Sequence, residues 1–272
     1  MPVTHNSTQT EEKHSSSWYD NYLLPCVAEF FGTLLFVFSG CASVINATNT
    51  GSLQPAVAHG LALSICVAST AGVSGGHLNP AVTLGVVISG GLHSIRLIPY
   101  WISQLLGATT GAALAKTVFS ESQFANASGA AFNAMQSGAS LYSIFTAEVV
   151  MTFFLVLTVC MTAVNTQSQT LLAPFCIGLV VTTSVLGAGG VSGGCMNPAR
   201  AFGPAVVANY WSCHWVYWAG PLVGAALVGL VMRLLLGDPR TRLILKKKVA
   251  GEVKPLKKAC GGYYGSQPAH AS

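Results

Sequence analysis

The sequence predicts an all-α membrane protein: six transmembrane helices plus two re-entrant half-helices, arranged as an inverted repeat. Three observations carry this. Hydrophobic residues fill 51% of the 272 positions and charged residues 8%, with mean hydropathy +0.56. Soluble domains carry about 25% charged residues, so this chain lacks the polar surface to face water as a globule. Apolar runs of spanning length also recur, a helix needing about 20 apolar residues to cross the hydrocarbon. Finally, Ser-Gly-Gly-x-x-Asn-Pro-Ala occurs at 74–81 and again at 192–199, 118 residues apart. One copy would be an ordinary helix start, because Asn suits the N-cap and Pro the first helical position. Two copies with the same flanks mark a duplicated half.

Residues 1–22 are a polar N-terminal tail, unlike a secretory signal or an Arg-rich transit peptide. Apolar spans follow at about 23–45, 56–73 and 96–118, then at 142–164, 171–189 and 214–236. Segments 79–89 and 197–208 are apolar, open with Asn-Pro and are too short to cross. Such segments enter and leave one face of a bilayer, with irregular backbone tolerated only where protein buries it or water lines it. The helical domain is 23–237, with halves of about 23–118 and 142–237. Ala28-Glu29 and Thr33 match Ala147-Glu148 and Thr152; Gly60 matches Gly178; Tyr100-Trp101 and Gly107 match Tyr217-Trp218 and Gly224. Three spans per half make the halves enter the membrane in opposite directions, so their half-helices meet near the midplane. The Gly107/Gly111 and Gly220/Gly224 spacings fit close helix packing.

Nine of the thirteen Lys and Arg lie from Arg233 onward, most of them in the basic tail 238–272. By the positive-inside rule this puts the C-terminus in the cytoplasm, and six spans put the N-terminus there too. No base-reading motif accompanies the basic tail, so nucleic acid is not an expected partner. The linker of about 119–141 then lies outside. It contains Asn126-Ala127-Ser128, and the first outside loop contains Asn46-Ala47-Thr48; both fit N-glycosylation acceptors and read equally well as unmodified sequons. Eight Cys without CxxC spacing predict no disulfide framework. No phosphate loop, metal-ligand spacing or nucleophile–base motif occurs, so neither an enzyme, a cofactor nor a metal is expected.

The candidate site residues follow from the repeat. Asn79 and Asn197 each cap a half-helix with the side-chain oxygen, leaving an amide donor facing whatever lies ahead. If Pro80-Ala81 and Pro198-Ala199 open helices that meet, two donors and two positive dipole ends converge on one point. Arg200 stands in the first turn of the second half-helix, against the macrodipole, which favours a guanidinium lining a polar path over one reaching the interface. His59 reads as a wall residue of that path or as a hydrogen-bonded packing residue. His77 reads as a brace for its loop. Glu29 and Glu148 are repeat-related acids inside spans; a proton relay is one reading, acceptance of loop N–H groups the favoured one.

These residues resemble the aquaporin (major intrinsic protein) family over roughly 23–237. The resemblance implies a right-handed six-helix bundle with one pore per protomer, a homotetramer in the lipid bilayer, and passive flow of water and small neutral solutes. It also implies a central constriction at Asn79 and Asn197, and an outer selectivity filter at His59, Val185, Gly194 and Arg200. Strict water channels of the family place Phe and His where this chain has His59 and Val185, so the filter is expected to be roomier. Glycerol channels place Asp after the filter Arg, where this chain has Ala201. One branch of the family that the chain resembles is associated with ammonia and hydrogen peroxide. Cys195, two residues before Asn197, is the expected mercurial site. Rival readings are an ammonia or peroxide channel with incidental water flow, and a coupled secondary transporter using Glu29 and Glu148. Protonation of His59 is expected to modulate flow.

Overall fold

The computed structural model describes residues 18–47, 51–134, 137–238 and 242–244. The N-terminal tail to residue 17, Thr48 of the first sequon, Arg240, Lys246, Lys247, Lys248, Lys254, Lys257, Lys258 and Cys260 lie outside the described residues. Among the described residues nine α-helices run in order: α1 (Leu24–Ile45), α2 (Leu53–Ser74), α3 (Pro80–Ser89), α4 (Leu97–Val118), α5 (Glu121–Asn126), α6 (Leu141–Val159), α7 (Ala173–Ser192), α8 (Pro198–Ala208) and α9 (Val216–Val231). π-helical turns extend α1 at its start (Tyr19–Leu23), α6 at its end (Cys160–Val164) and α9 at its end (Met232–Leu236).

Five of the six long helices are long and apolar enough to cross a membrane. The remaining predicted span, α4, is 22 residues long but includes Gln104, Thr109, Thr110 and Lys116, which lower its hydropathy. Large apolar side chains such as Phe31, Leu61, Ile102, Phe154 and Leu227 lie exposed along the long helices, as a surface facing acyl chains requires. Several predicted boundaries move by a few residues. The fifth span runs Ala173–Ser192 rather than 171–189, because Gly189 and Gly190 are absorbed into the helix and the terminator is Gly193, at φ 91°. The linker 119–141 is not all loop, since a Ser120 capping box starts α5.

Small residues set how closely the helices approach. Gly60 on α2 and Gly178 on α7 face each other, and a Cβ on either would strike the other's carbonyl oxygen. On α4, a Cβ at Gly107 would meet the carbonyl of Phe30 and one at Gly111 that of Leu34. The second half repeats this: a Cβ at Gly220 would lie 2.7 Å from the Glu148 Cβ, and one at Gly224 would meet the Val149 carbonyl. With no hydrophobic drive between helices in lipid, such backbone-level contact supplies the packing energy.

The half-helices cross between the halves. The first-half α3 packs mainly on α9, and the second-half α8 mainly on α4. Both are started the same way. Asn79, at φ −160°, accepts from Ala81 N and is followed by Pro80; Asn197, at φ −147°, accepts from Ala199 N and Arg200 N and is followed by Pro198. Left-handed Gly90 ends α3 and left-handed Asn209 ends α8.

Candidate functional site

Each Asn-Pro-Ala loop is held by one buried carboxylate. Glu29 Oε1 accepts from Ser74 Oγ at 2.6 Å and His77 N at 2.9 Å, and its Oε2 from Leu78 N at 2.7 Å. Glu148 repeats the pattern with Ser192 Oγ at 2.7 Å, Cys195 N at 2.9 Å and Met196 N at 2.8 Å. The serines turn back to accept from Gly76 N and Gly194 N, while Tyr100 and Tyr217 donate to the Ser74 and Ser192 carbonyls, both at 2.9 Å. Leu78 and Met196 are thereby kept at φ 51° and 54°, a region that costs a non-glycine residue roughly 1–3 kcal/mol unless its surroundings enforce it.

That strained turn aims the Leu78 and Met196 carbonyls across the molecule. Asn79 Nδ2 donates to Met196 O and Asn197 Nδ2 to Leu78 O, both at 2.9 Å. The sequence expectation left each amide facing whatever lies ahead; what lies ahead is, in part, the backbone carbonyl of the opposite loop. Each NH2 has two hydrogens, one used to lock the halves together and one left over. The oxygen of each Asn is meanwhile occupied by its helix cap.

A cavity of about 20 Å³ lies at this junction, where one water needs roughly 10–15 Å³. Gly76, His77, Asn79, Gly194, Cys195 and Asn197 line it, with His59, Phe36, Leu63, Val67, Leu155 and Val181 also in the wall. Cys195 donates its thiol to Asn197 O at 3.1 Å. Val185 and Arg200 are not in this lining. Val185 instead backs Gly194, where a Cβ would lie 3.0 Å from its Cγ2.

His59 and Arg200 touch directly. His59 Nδ1 lies 2.7 Å from the Pro55 carbonyl, which only accepts, so Nδ1 carries the proton. Nε2 is then the lone-pair nitrogen, and it accepts from Arg200 Nε at 3.0 Å. The ring fits because residue 40 is Gly: a Cβ there would lie 2.8 Å from His59 Cδ2. This geometry overturns the expectation of a His59 pH switch, since a second ring proton would have to displace, and face, a guanidinium. Water permeability is expected to stay flat between about pH 5.5 and about pH 8, a range spanning the ordinary histidine titration; a step near pH 6.5 in stopped-flow light scattering would contradict it.

The first half has a side-chain layer that the second lacks. Gln104 Nε2 donates to Glu29 Oε2 at 2.8 Å and to Thr83 Oγ1 at 2.9 Å, and the Thr83 hydroxyl donates to Asn79 O at 3.0 Å. His77 Nδ1 lies 3.2 Å from the same hydroxyl. The matching second-half positions are Pro221 and Ala201. Asn46 and Asn126 are exposed at the ends of α1 and α5. Among the described residues the seven cysteines are free, and no cluster of potential metal ligands occurs.

Helix starts that meet head to head inside a bundle with an apolar exterior, beside a water-sized cavity, define a channel-type membrane protein. The chain belongs to the major intrinsic protein family, whose profile matches residues 16–232. It is 54% identical to aquaporin-8 of Rattus norvegicus over 243 residues, 89% of this chain and 92% of that protein. Aquaporin-8 of Mus musculus is 55% identical over 232 residues, covering 85% and 89%. Aquaporin TIP2-1 of Arabidopsis thaliana is 45% identical over 218 residues, covering 75% and 84%. The X-ray structure of the aquaglyceroporin from Plasmodium falciparum superposes with TM-score 0.69 at 23% identity, covering 77% of this chain and 95% of that one, a likeness of fold alone. The chain is therefore an integral multi-pass membrane protein, a channel for water and small neutral solutes rather than an enzyme.

Proposed function

We propose that the chain conducts water in single file past Asn79 and Asn197, together with ammonia and hydrogen peroxide, and rejects ions and protons. The crosswise amide bonds carry this reading. They leave each Asn one N–H for a passing lone pair, at the positive ends of α3 and α8, where a cation is repelled. His59, Val185, Gly194 and Arg200 form the proposed outer filter, with two small or short side chains giving it width. Ala201, after Arg200, disfavours glycerol. Backbone carbonyls leading into each half-helix complete the polar track. The proposed assembly is a homotetramer with one pore per protomer and both termini in the cytoplasm, in the plasma membrane or intracellular membranes. Asn46 and Asn126 then face outward as glycan acceptors, an arrangement read by the mass shift on glycosidase digestion.

Stopped-flow measurements on proteoliposomes, with water, ammonia, peroxide, urea and glycerol in turn, test the reading. Osmotic water flow well above protein-free vesicles, with ammonia and peroxide passing and glycerol excluded, is the expected result. Saturable uptake driven by an ion gradient would instead indicate a coupled transporter. Cys195 reports the path: mercurial treatment is expected to block flow in the parent protein and to leave Cys195→Ser open. Unchanged mercury inhibition in that variant would remove Cys195 from the path.

A further inference from the structure

We infer that Gly40, on α1, is a positioning residue that sets the width of the proposed outer filter by fixing where the His59 ring stands. The glycine lies in the interior of α1 (Leu24–Ile45), where alanine is the better helix former, so its presence there needs a physical reason. Helix contact does not supply one. A Cβ at Gly60, Gly107 or Gly111 would strike the backbone of a neighbouring helix. The three atoms nearest to a Cβ at Gly40 would instead be Nε2, Cδ2 and Cε1 of His59, the last two at 2.8 Å and 3.1 Å.

The ring is held on its other edges. Pro55 O lies 2.7 Å from Nδ1, Arg200 Nε donates to Nε2 at 3.0 Å, and the Phe36 ring stands edge to face with its centroid 5.9 Å away. Arg200 is itself fixed, since Ala130 O accepts from its Nη1 at 3.1 Å and its Cζ lies 4.8 Å from the Phe132 ring centroid. A methyl group at residue 40 therefore breaks the bond to Arg200 and drives the imidazole toward the cavity that His59 lines.

The second half shows the alternative filling. Counted from Glu29 and Glu148, Gly40-Cys41 corresponds to Val159-Cys160; counted from Gly60 and Gly178, His59 corresponds to Ile177. Val159 and Ile177 both line the cavity. Where the first position keeps its side chain, the second is aliphatic. Where the second is an imidazole, the first is reduced to hydrogen. Gly40 is thus what admits a histidine at residue 59.

The effect on flow rests on the channel reading. In proteoliposomes Gly40→Ala is expected to lower osmotic water permeability about tenfold, the order of effect of one methyl group in a fitted pocket. In a His59→Ala background the same substitution is expected to change permeability by less than about twofold, because the ring it strikes is gone. Stability gives an independent sign. Gly40→Ala is expected to lower the unfolding temperature of the parent in detergent and to raise that of His59→Ala, where only the helix preference remains. The double variant keeps the comparison decisive if Gly40→Ala alone fails to fold. Equal effects of Gly40→Ala in both backgrounds, or parent-like flow and stability of Gly40→Ala itself, would overturn the inference. Absence of osmotic flow through the parent protein would instead count against the channel reading.

Discussion

Glu29→Ala is expected to yield no folded channel. Four donors converge on that carboxylate: the Ser74 hydroxyl, the His77 and Leu78 N–H groups and the Gln104 amide. Each buried donor left without an acceptor costs about 1–3 kcal/mol, and four together approach the roughly 5–15 kcal/mol that holds an ordinary domain folded. The loss also releases the left-handed turn at Leu78, and with it the carbonyl that receives the Asn197 amide. Glu148→Ala is expected to be milder, because three donors meet Glu148 and no side-chain amide is among them. Thermal unfolding in detergent, followed by osmotic permeability after reconstitution, gives the order. An alanine at 29 as stable as the parent, or one at 148 more damaging than at 29, would show that the carboxylates do not carry the loops.

Arg200→Ala is expected to leave water flow within about twofold of the parent and to raise methylammonium flux by at least about tenfold, equal to about 1.4 kcal/mol. The arginine is 2% exposed, so its charge acts through protein more than through bulk water, and at a few ångströms a fixed charge there opposes a cation by several kcal/mol. Its removal leaves the His59 Nε2 lone pair and the Ala130 carbonyl facing the opened space, where both accept hydrogen bonds from permeating ammonium. Cation flux at parent levels would place the barrier elsewhere, at the starts of α3 and α8. A His59→Ala, Arg200→Ala double variant adds a check: as the two side chains are bonded, their effects are expected not to add.

Much of the site was legible because it is written twice. Glu29 with Glu148, Tyr100 with Tyr217, and Gly60 with Gly178 stand at matched positions, and each pair makes the same contact in its own half or meets at the crossing. Residues present once gave no such signal. Gln104 and Thr83 brace Glu29 and Asn79, yet Pro221 and Ala201 occupy the matching places, so symmetry pointed away from them. Phe132 and Ala130 lie in a linker that belongs to neither half, and they reach Arg200 across about 70 residues of chain. His59 was visible as a polar residue in an apolar span, but its role turned on which nitrogen holds the proton. That depends on the Pro55 carbonyl one helical turn earlier, which lies 2.7 Å from Nδ1. The end of α7 lies three residues beyond the predicted 189, because the helix continues through Gly189 and Gly190 to Ser192.

The crosswise bonds from the Asn79 amide to Met196 O and from the Asn197 amide to Leu78 O also bear on how the protein is made. During synthesis the first half reaches the bilayer with the Leu78 carbonyl and one Asn79 hydrogen unmatched, and with α3 lacking α9 to rest on. Those groups find partners only once Met196 and Asn197, the latter 118 residues after Asn79, and then α9 have been inserted. The midpoint of the path is therefore the last part to close, and a truncated chain ending in the linker retains an unsatisfied polar seam that quality control can recognise. The two halves, made as separate chains in one cell, have in each other the missing partners.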